Sequence, residues 1–305
     1  MRICYDDDVR AHDVAILLNP VAGGGRAIRA LNQVLPVLNA AGVAVDVWTS
    51  DAAGDLERHA REAAARRSER VIAIGGDGSV QEVANGLLSA PDPPSMAVIP
   101  AGRGNDLART LGIPMRVADA ARLAIKGDPR AMDVGECNGR YFVIAGGIGF
   151  DGEVAYRVSH AARPWQRAKA VYLAGTLLEL RRYRNRELKI EMDGKTIERR
   201  VLLVAITNCP YYGGGMMICP EADIADGLLD VCIVGDISRR EALREIPGIY
   251  RGRHVSNPAV EFHRARTVRV EGGADVRSHL DGEPSGPPPL TFRVLPAALR
   301  VVAPV

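Results

Sequence analysis

The sequence predicts an N-terminal α/β domain built on a parallel sheet with glycine-rich turns, residues 13–132, followed by a mostly antiparallel β-sandwich domain, residues 133–305. Apolar runs and helical patterns alternate from Val14 to Lys126, as in strands joined by covering helices. From Asp133 onward most segments are strand-like and are separated by turn residues. Three of the early apolar runs end in a glycine turn that leads into a helix.

Val14-Ala15-Ile16-Leu17-Leu18 is an uninterrupted apolar run of strand length. The turn Asn19-Pro20-Val21-Ala22-Gly23-Gly24-Gly25 hands it to a helical pattern from Ala27 to Asn39. The β-branched run Val43 to Thr49 is the next strand, and Asp51 to Arg67 is an alanine- and charge-rich helix with Ser50 or Asp51 placed to cap it. Strand 71–74, turn Gly75-Gly76-Asp77-Gly78-Ser79 and helix 80–89 follow, then strand 96–100, turn 100–106, and helices 105–111 and 116–126. After Lys126-Gly127-Asp128-Pro129 the texture changes. Strands are expected at 141–145, 187–192, 201–207, 228–234, 267–270, 290–295 and 299–302, with helices at 151–160, 165–182 and 238–250. Residues 1–12 read as a loose leader, in which Cys4, Asp6 to Asp8 and His12 match no metal-ligand spacing.

Composition narrows the function classes. A chain of 305 residues is long enough for two cores, and 47% hydrophobic residues argue against disorder. Lys+Arg of 39 against Asp+Glu of 37 leaves a net charge of +2, which does not suit a nucleic-acid-coating protein. Five cysteines without a Cys-x-x-Cys pair argue against a disulfide framework and a zinc knuckle and point to the cytoplasm. The N-terminus is acidic where an export signal needs basic flanks. No apolar stretch approaches the ~20 residues of a spanning helix, so membrane contact is expected to be peripheral. A homodimer is compatible with the sequence.

Glycine turns after neighbouring parallel strands meet along one sheet edge, where backbone N–H groups can crowd onto a phosphate. Asn19, Pro20, Gly23, Gly24, Gly75, Gly76, Gly78 and Ser79 are the candidate nucleotide contacts, with Thr49 at the end of its strand. Asp77 among phosphates calls for a cation, Mg²⁺ carried by ATP, or else stabilises the turn through backbone bonds.

With these residues in view the chain resembles the diacylglycerol kinase catalytic-domain family of lipid kinases, in the bacterial form that also resembles sphingosine and ceramide kinases. The markers are Asn19-Pro20 with its trailing glycines, Gly75 to Ser79 with Glu82, and Gly102-Arg103-Gly104-Asn105-Asp106. Gly147-Ile148-Gly149-Phe150-Asp151, Asp226-Gly227-Leu228-Leu229-Asp230 and His279-Leu280-Asp281-Gly282-Glu283 complete them. Ser79 stands where threonine is usual in that family, Gln81 where asparagine is frequent, and Arg103 where threonine often contacts the nucleotide. A guanidinium pairs with phosphate oxygens more strongly than a hydroxyl does.

The resemblance implies a diacylglycerol kinase- or NAD kinase-like fold and ATP- and Mg²⁺-dependent phosphorylation of a lipid hydroxyl in phospholipid metabolism. It implies Glu82, Arg103, Asn105 and Asp106 as further nucleotide-site residues. It makes Glu283 the base, with Asp281 beside it and Asp133 a relay partner, whereas the residues alone read Asp281-Gly282 first as a hairpin turn. It also implies a second Mg²⁺ held by Asp226 and backbone oxygens near Asp223 and Leu228, where a bare Asp-Gly reads as a turn.

Two other classes compete. A soluble NAD-kinase-like enzyme shares the Gly-Gly-Asp-Gly turn but carries a Thr-Pro-Thr-Gly-Ser-Thr-like segment that this sequence lacks. A non-catalytic nucleotide-binding regulator, suggested by Arg103 and Gln81, has no use for Asp226 and Glu283. The segment 163–186 sets Val171, Leu173, Leu177 and Leu178 between arginines, which fits an amphipathic membrane-surface helix or a core helix with solvated ends. Met216 and Met217 fit an acyl-chain cleft or plain packing.

Overall fold

The computed structural model describes residues 2–4, 14–160 and 180–304. The chain divides into two compact units, 1–133 with 297–305, and 134–296.

In the first unit, strands β1 (Arg2–Cys4), β2 (Val14–Leu18), β3 (Val45–Thr49), β4 (Arg70–Gly75) and β5 (Ser95–Pro100) form a sheet in the order β1-β3-β2-β4-β5. β2 to β5 run parallel. Part of the expected leader is therefore a strand, since β1 pairs antiparallel with β3. Near the C-terminus Val301 pairs parallel with Met96. Ile16 to Leu18 and Val71 to Ile74 are fully buried, which is why both strands read as unbroken apolar runs: helices cover both faces.

Those helices are α1 (Arg26–Ala40), α2 (Asp55–Ala65), α3 (Asp77–Leu87), α4 (Asp106–Thr110) and α5 (Val117–Lys126). α1 buries Ala27, Ala30, Val34 and Leu38, one stripe at helical spacing. α2 and α3 approach closely because residue 86 is glycine. A Cβ there would lie 2.6 Å from Ala60 Cβ and overlap the Glu57 carbonyl.

The second unit is a sandwich, entered through β6 (Pro129–Cys137) and β7 (Arg140–Phe142). Its further strands are β8 (Ala145–Gly149), β9 (Arg186–Met192), β10 (Lys195–Val201), β11 (Leu203–Thr207), β12 (Tyr211–Tyr212) and β13 (Met216–Met217). β14 (Leu229–Val234), β15 (Val260–Ala265), β16 (Thr267–Glu271), β17 (Ser278–Leu280), β18 (Glu283–Ser285) and β19 (Leu290–Val302) complete it, with helices α6 (Phe150–His160) and α7 (Arg239–Ile249). One sheet has the antiparallel order β15-β14-β11-β8-β17-β18. β10, β9, β16 and the first half of β19 pair antiparallel in the other. Phe142, Ile190, Ile206, Val231, Val268 and Phe292, drawn from both, share one core.

Several elements depart from the expectations. The predicted strand 141–145 breaks after Phe142 and resumes as β8 at Ala145. β8 carries Gly146, Gly147 and Gly149, and at Gly146 the space of a side chain is filled by Phe292, whose ring would lie 2.5 Å from a Cβ. β10 and β15 went unpredicted because solvent-facing charges mask their alternation. The two expected C-terminal strands are one, running through Pro296 and Ala297. Of the expected helix 165–182 and the candidate membrane segment 163–186, residues up to 179 lie outside the described residues. No helix among the described residues is long and apolar enough to cross a membrane.

Candidate active site

β2, β4 and β5 are sheet neighbours, so the turns that leave their carboxyl ends lie side by side. In the first, Asn19 Oδ1 accepts from Val21 N–H at 3.1 Å, and Gly23, Gly24 and Gly25 hold φ of 60°, 72° and 85°, which suits glycine. A Cβ on Gly23 would overlap the Ala101 carbonyl, so the first turn lies directly against the third.

The second and third turns touch through their backbones. Ala101 N–H donates to Gly75 O at 2.8 Å, and a Cβ on Gly76 would stand 2.9 Å from Gly102 Cα. A Cβ on Gly102 would meet Asn105 Oδ1 at 2.7 Å. Asn105, at φ 53°, closes its own turn by accepting from Gly102 N–H at 2.8 Å. Ser79 is buried, with its side chain against Gly75. Gly78 lies in the first turn of α3, where helix N–H groups lack intrahelical acceptors. Thr49 ends β3 on the same edge, next to Leu18, whose carbonyl accepts from Ser50 N–H.

Asp77 makes the backbone bonds that one of its two readings expects. Its Oδ2 accepts from Asn105 N–H at 2.8 Å and its Oδ1 from Asp106 N–H at 2.7 Å, so it caps α4 and ties the second turn to the third. Burial pushes its pKa up to about 6, and the Asp106 carboxylate adds to the rise while the backbone bonds oppose it. Asp106 is itself buried and bonded to Arg109 at 2.8 Å. Arg103 is exposed at the turn's tip. Glu82 needs correcting as a nucleotide contact: its Oε2 accepts from Gly54 N–H and Leu56 N–H at 3.1 and 3.2 Å, which caps α2.

One residue the sequence did not single out joins this set. Arg26 donates through Nε to Gly23 O at 3.2 Å and through Nη2 to Gly102 O at 2.6 Å, bridging the first and third turns. Its position immediately after the glycine run was the available signal.

The second group of candidate residues belongs to the other unit. Leu280 pairs with Glu283 across a two-residue loop in which Asp281 and Gly282 hold φ of 50° and 87°. That is the primed turn an Asp-Gly pair prefers. Glu283 is exposed at the start of β18. Asp281 is not placed as its catalytic companion. Its Oδ2 accepts from Val143 N–H at 2.8 Å and its Oδ1 from Ile144 and Ala145 N–H at 2.9 Å each, so the carboxylate fastens the hairpin to the break before β8. Asp133, expected as a relay, is buried in the first unit, where Oδ1 accepts from Ala297 N–H at 2.7 Å and steadies a residue at φ 52°.

Beside the hairpin lies a second residue without an assigned role, His279. Its Nδ1 accepts from Gly282 N–H at 3.2 Å, so the proton sits on Nε2, which faces Asp151 Oδ2 at 3.4 Å. Tyr212 stacks on the ring at 6.1 Å and donates to the same Asp151 oxygen at 3.5 Å. Gly147 makes room for this cluster, since a Cβ there would overlap both Asp151 Oδ2 and His279 Nε2.

The candidate metal loop precedes β14. Asp223 Oδ1 accepts from Ala225 N–H at 3.0 Å and Asp226 Oδ1 from Leu228 N–H at 2.9 Å, two short side-chain-to-backbone turns. Next to them Asp230 pairs with Arg264 Nε at 3.0 Å, but its buried Oδ2 has no hydrogen-bond partner. Burial raises the Asp230 pKa, Arg264 opposes this, and the Asp226 and Glu221 carboxylates add to the rise. No group of three or more metal-binding side chains converges among the described residues. The Asp223 and Asp226 carboxylates and the Leu228 carbonyl are hard oxygen donors, a set that fits Mg²⁺ with water retained in most of its shell.

Residues 13–137 match the diacylglycerol kinase catalytic domain and residues 145–303 match the YegS C-terminal NAD kinase beta sandwich-like domain. The chain is 34% identical to a diacylglycerol kinase of Bacillus subtilis, with 95% of each chain covered. It is likewise 34% identical to one of Mycobacterium tuberculosis, with 97% of each covered. The crystal structure of a diacylglycerol kinase from Bacillus anthracis is 26% identical and superposes with a TM-score of 0.75, over 97% of this chain and 98% of that one.

Proposed function

The chain belongs to the diacylglycerol kinase catalytic-domain family and is a kinase, and from that premise we propose that it transfers the γ-phosphate of ATP, with Mg²⁺, to the hydroxyl of a diacylglycerol-like lipid. The observation that carries the nucleotide half is the contiguity of three glycine turns at one sheet edge. Phosphoryl transfer asks little covalent chemistry of the protein and much positioning. A cradle stitched by Arg26, Asp77 and Asn105 is prepared for that task. In this reading Asn19, Gly23, Gly24, Gly75, Gly76, Gly78 and Ser79 hold the triphosphate and adenosine, and Arg103 supplies a guanidinium at the rim. The first unit, 1–133 with 297–305, serves as the nucleotide domain and the second, 134–296, as the lipid domain, so the C-terminal residues expected in the lipid domain belong to the other unit.

Glu283 is exposed and free of the backbone bonds that occupy Asp281, which supports it as the group that orients the acceptor hydroxyl and takes its proton. Mg²⁺ would contribute charge neutralisation at the β- and γ-phosphate oxygens beside Asp77 and, at the Asp223, Asp226 and Leu228 oxygens, order in the loop before β14. The protein works at the cytoplasmic membrane surface in this reading.

The test is transfer of labelled γ-phosphate from ATP into a bacterial lipid extract with Mg²⁺, comparing wild type with Glu283→Ala. Labelled phosphatidic acid with wild type alone, at ATP affinity unchanged within a few-fold, is the expected result. Label in a water-soluble product would move the assignment to a soluble acceptor, and equal loss of ATP binding would make Glu283 structural.

A further inference from the structure

Among the described residues of the second unit, the large hydrophobic side chains left exposed are Leu243, Tyr250, Val255 and Phe262, at 40–50% exposure. Leu243 lies on α7 and Tyr250 caps its end, while Val255 falls in the turn that follows and Phe262 in β15. Arg239, Arg240, Leu243, Arg244 and Pro247 are exposed at spacings of three and four, so they form one stripe, and Tyr250 and Arg251 continue it past the helix end.

The charges on this helix are sorted by face. Glu241 and Glu245 point away from the stripe and accept from Asn257 Nδ2 at 3.4 and 3.1 Å. The exposed acids nearby are engaged elsewhere: Asp236 faces Arg200 at 3.6 Å and Glu261 faces Arg199 at 3.2 Å. Arg239 donates to Tyr183 O at 3.1 Å. Arg240, Arg244, Arg251 and Arg253 form no ion pair among the described residues. The stripe itself is therefore cationic and apolar, and none of its residues is an acid.

We infer that the α7 face, Arg240, Leu243, Arg244, Tyr250 and Arg251, is a docking surface for a membrane rich in anionic phospholipid. The arginines complement headgroup phosphates, while Leu243 and the ring of Tyr250 reach the acyl boundary between them. An acidic polymer in water would satisfy the arginines but gain nothing from the apolar side chains. The choice of a membrane as partner rests on the lipid-kinase reading, and the surface itself rests on α7.

The experiment is flotation of the full chain with vesicles of phosphatidylglycerol and phosphatidylcholine in equal parts, against vesicles of phosphatidylcholine alone. Wild type is expected to bind the anionic vesicles, and less as salt is raised. With about five-fold in affinity per basic residue near the surface, Arg240→Gln/Arg244→Gln should weaken binding roughly thirty-fold. Leu243→Ser, which leaves every charge in place, should weaken it as well and guards against a folding defect in the double variant. Wild-type binding to neither vesicle, or variants that bind as wild type does, overturns the inference. So does a stripe that controls self-association in ultracentrifugation while vesicle binding is unchanged. Phosphorylation of a short-chain diacylglycerol without vesicles is expected to persist in the variants, and its absence in wild type would count against the kinase substrate, not the docking face.

Discussion

Asp281→Asn separates a structural carboxylate from a catalytic one. In the folded protein Asp281 takes three backbone N–H bonds, two on Oδ1 and one on Oδ2. Asparagine keeps the oxygen that serves Ile144 and Ala145 but turns an NH₂ toward Val143 N–H, donor against donor. Losing that bond and stranding the donor costs about 1–3 kcal/mol, and the two retained bonds fall from charge-assisted to neutral at about 1 kcal/mol each. The total is about 4 kcal/mol. At about 2–4 °C per kcal/mol for a unit of this size, the melting temperature should fall by about 10 °C. The assay is thermal unfolding by circular dichroism in parallel with turnover, with Glu283→Gln as the comparison. Glu283 is exposed, so its variant should lose turnover and melt as wild type. An Asp281→Asn protein melting within about 2 °C of wild type, yet inactive, would refute the assignment.

Gly102→Ala places a methyl 2.7 Å from Asn105 Oδ1 and overlapping Gly76, so the second and third turns must part and ATP affinity, read by calorimetry, should drop at least about ten-fold. An affinity within two-fold of wild type would sink that expectation. Asp77, with a folded pKa of about 6, binds its proton more tightly folded than unfolded, so stability through this group is lost as pH rises from about 4 to about 6. Urea melts of nucleotide-free wild type should gain on Asp77→Asn as pH falls from 7 to 5, and a constant difference would contradict this. His279→Phe removes the acceptor of Gly282 N–H, so kcat should fall about ten-fold at unchanged ATP affinity, with partial recovery in His279→Gln. Wild-type kcat in the phenylalanine variant would show that the histidine does not position the hairpin.

The parallel core was legible because its strands are buried on both faces and leave continuous apolar runs, and the glycine turns because each follows such a run. β10 and β15 were not, since Lys195 to Arg200 and Glu261 to Arg264 present mostly charge and the sheet supplies the pairing. The roles of the acids were the least legible. Asp77, Glu82 and Asp281 find their N–H partners 26 to 138 residues away, and no local spacing reports that. His279 lay inside a quoted motif, but its use depends on the cavity that Gly147 leaves across the sheet.

The contact between the second and third turns is made of main chain alone, Gly76 against Gly102 and Ala101 N–H on Gly75 O. Truncating side chains one by one would pass over this part of the protein, because a glycine has nothing to truncate. Arg103, exposed at the tip of the third turn, can vary without touching this contact, which depends on the space two absent side chains leave. Screens for inhibitor resistance should accordingly find changes at the rim residues and almost none at Gly76 or Gly102.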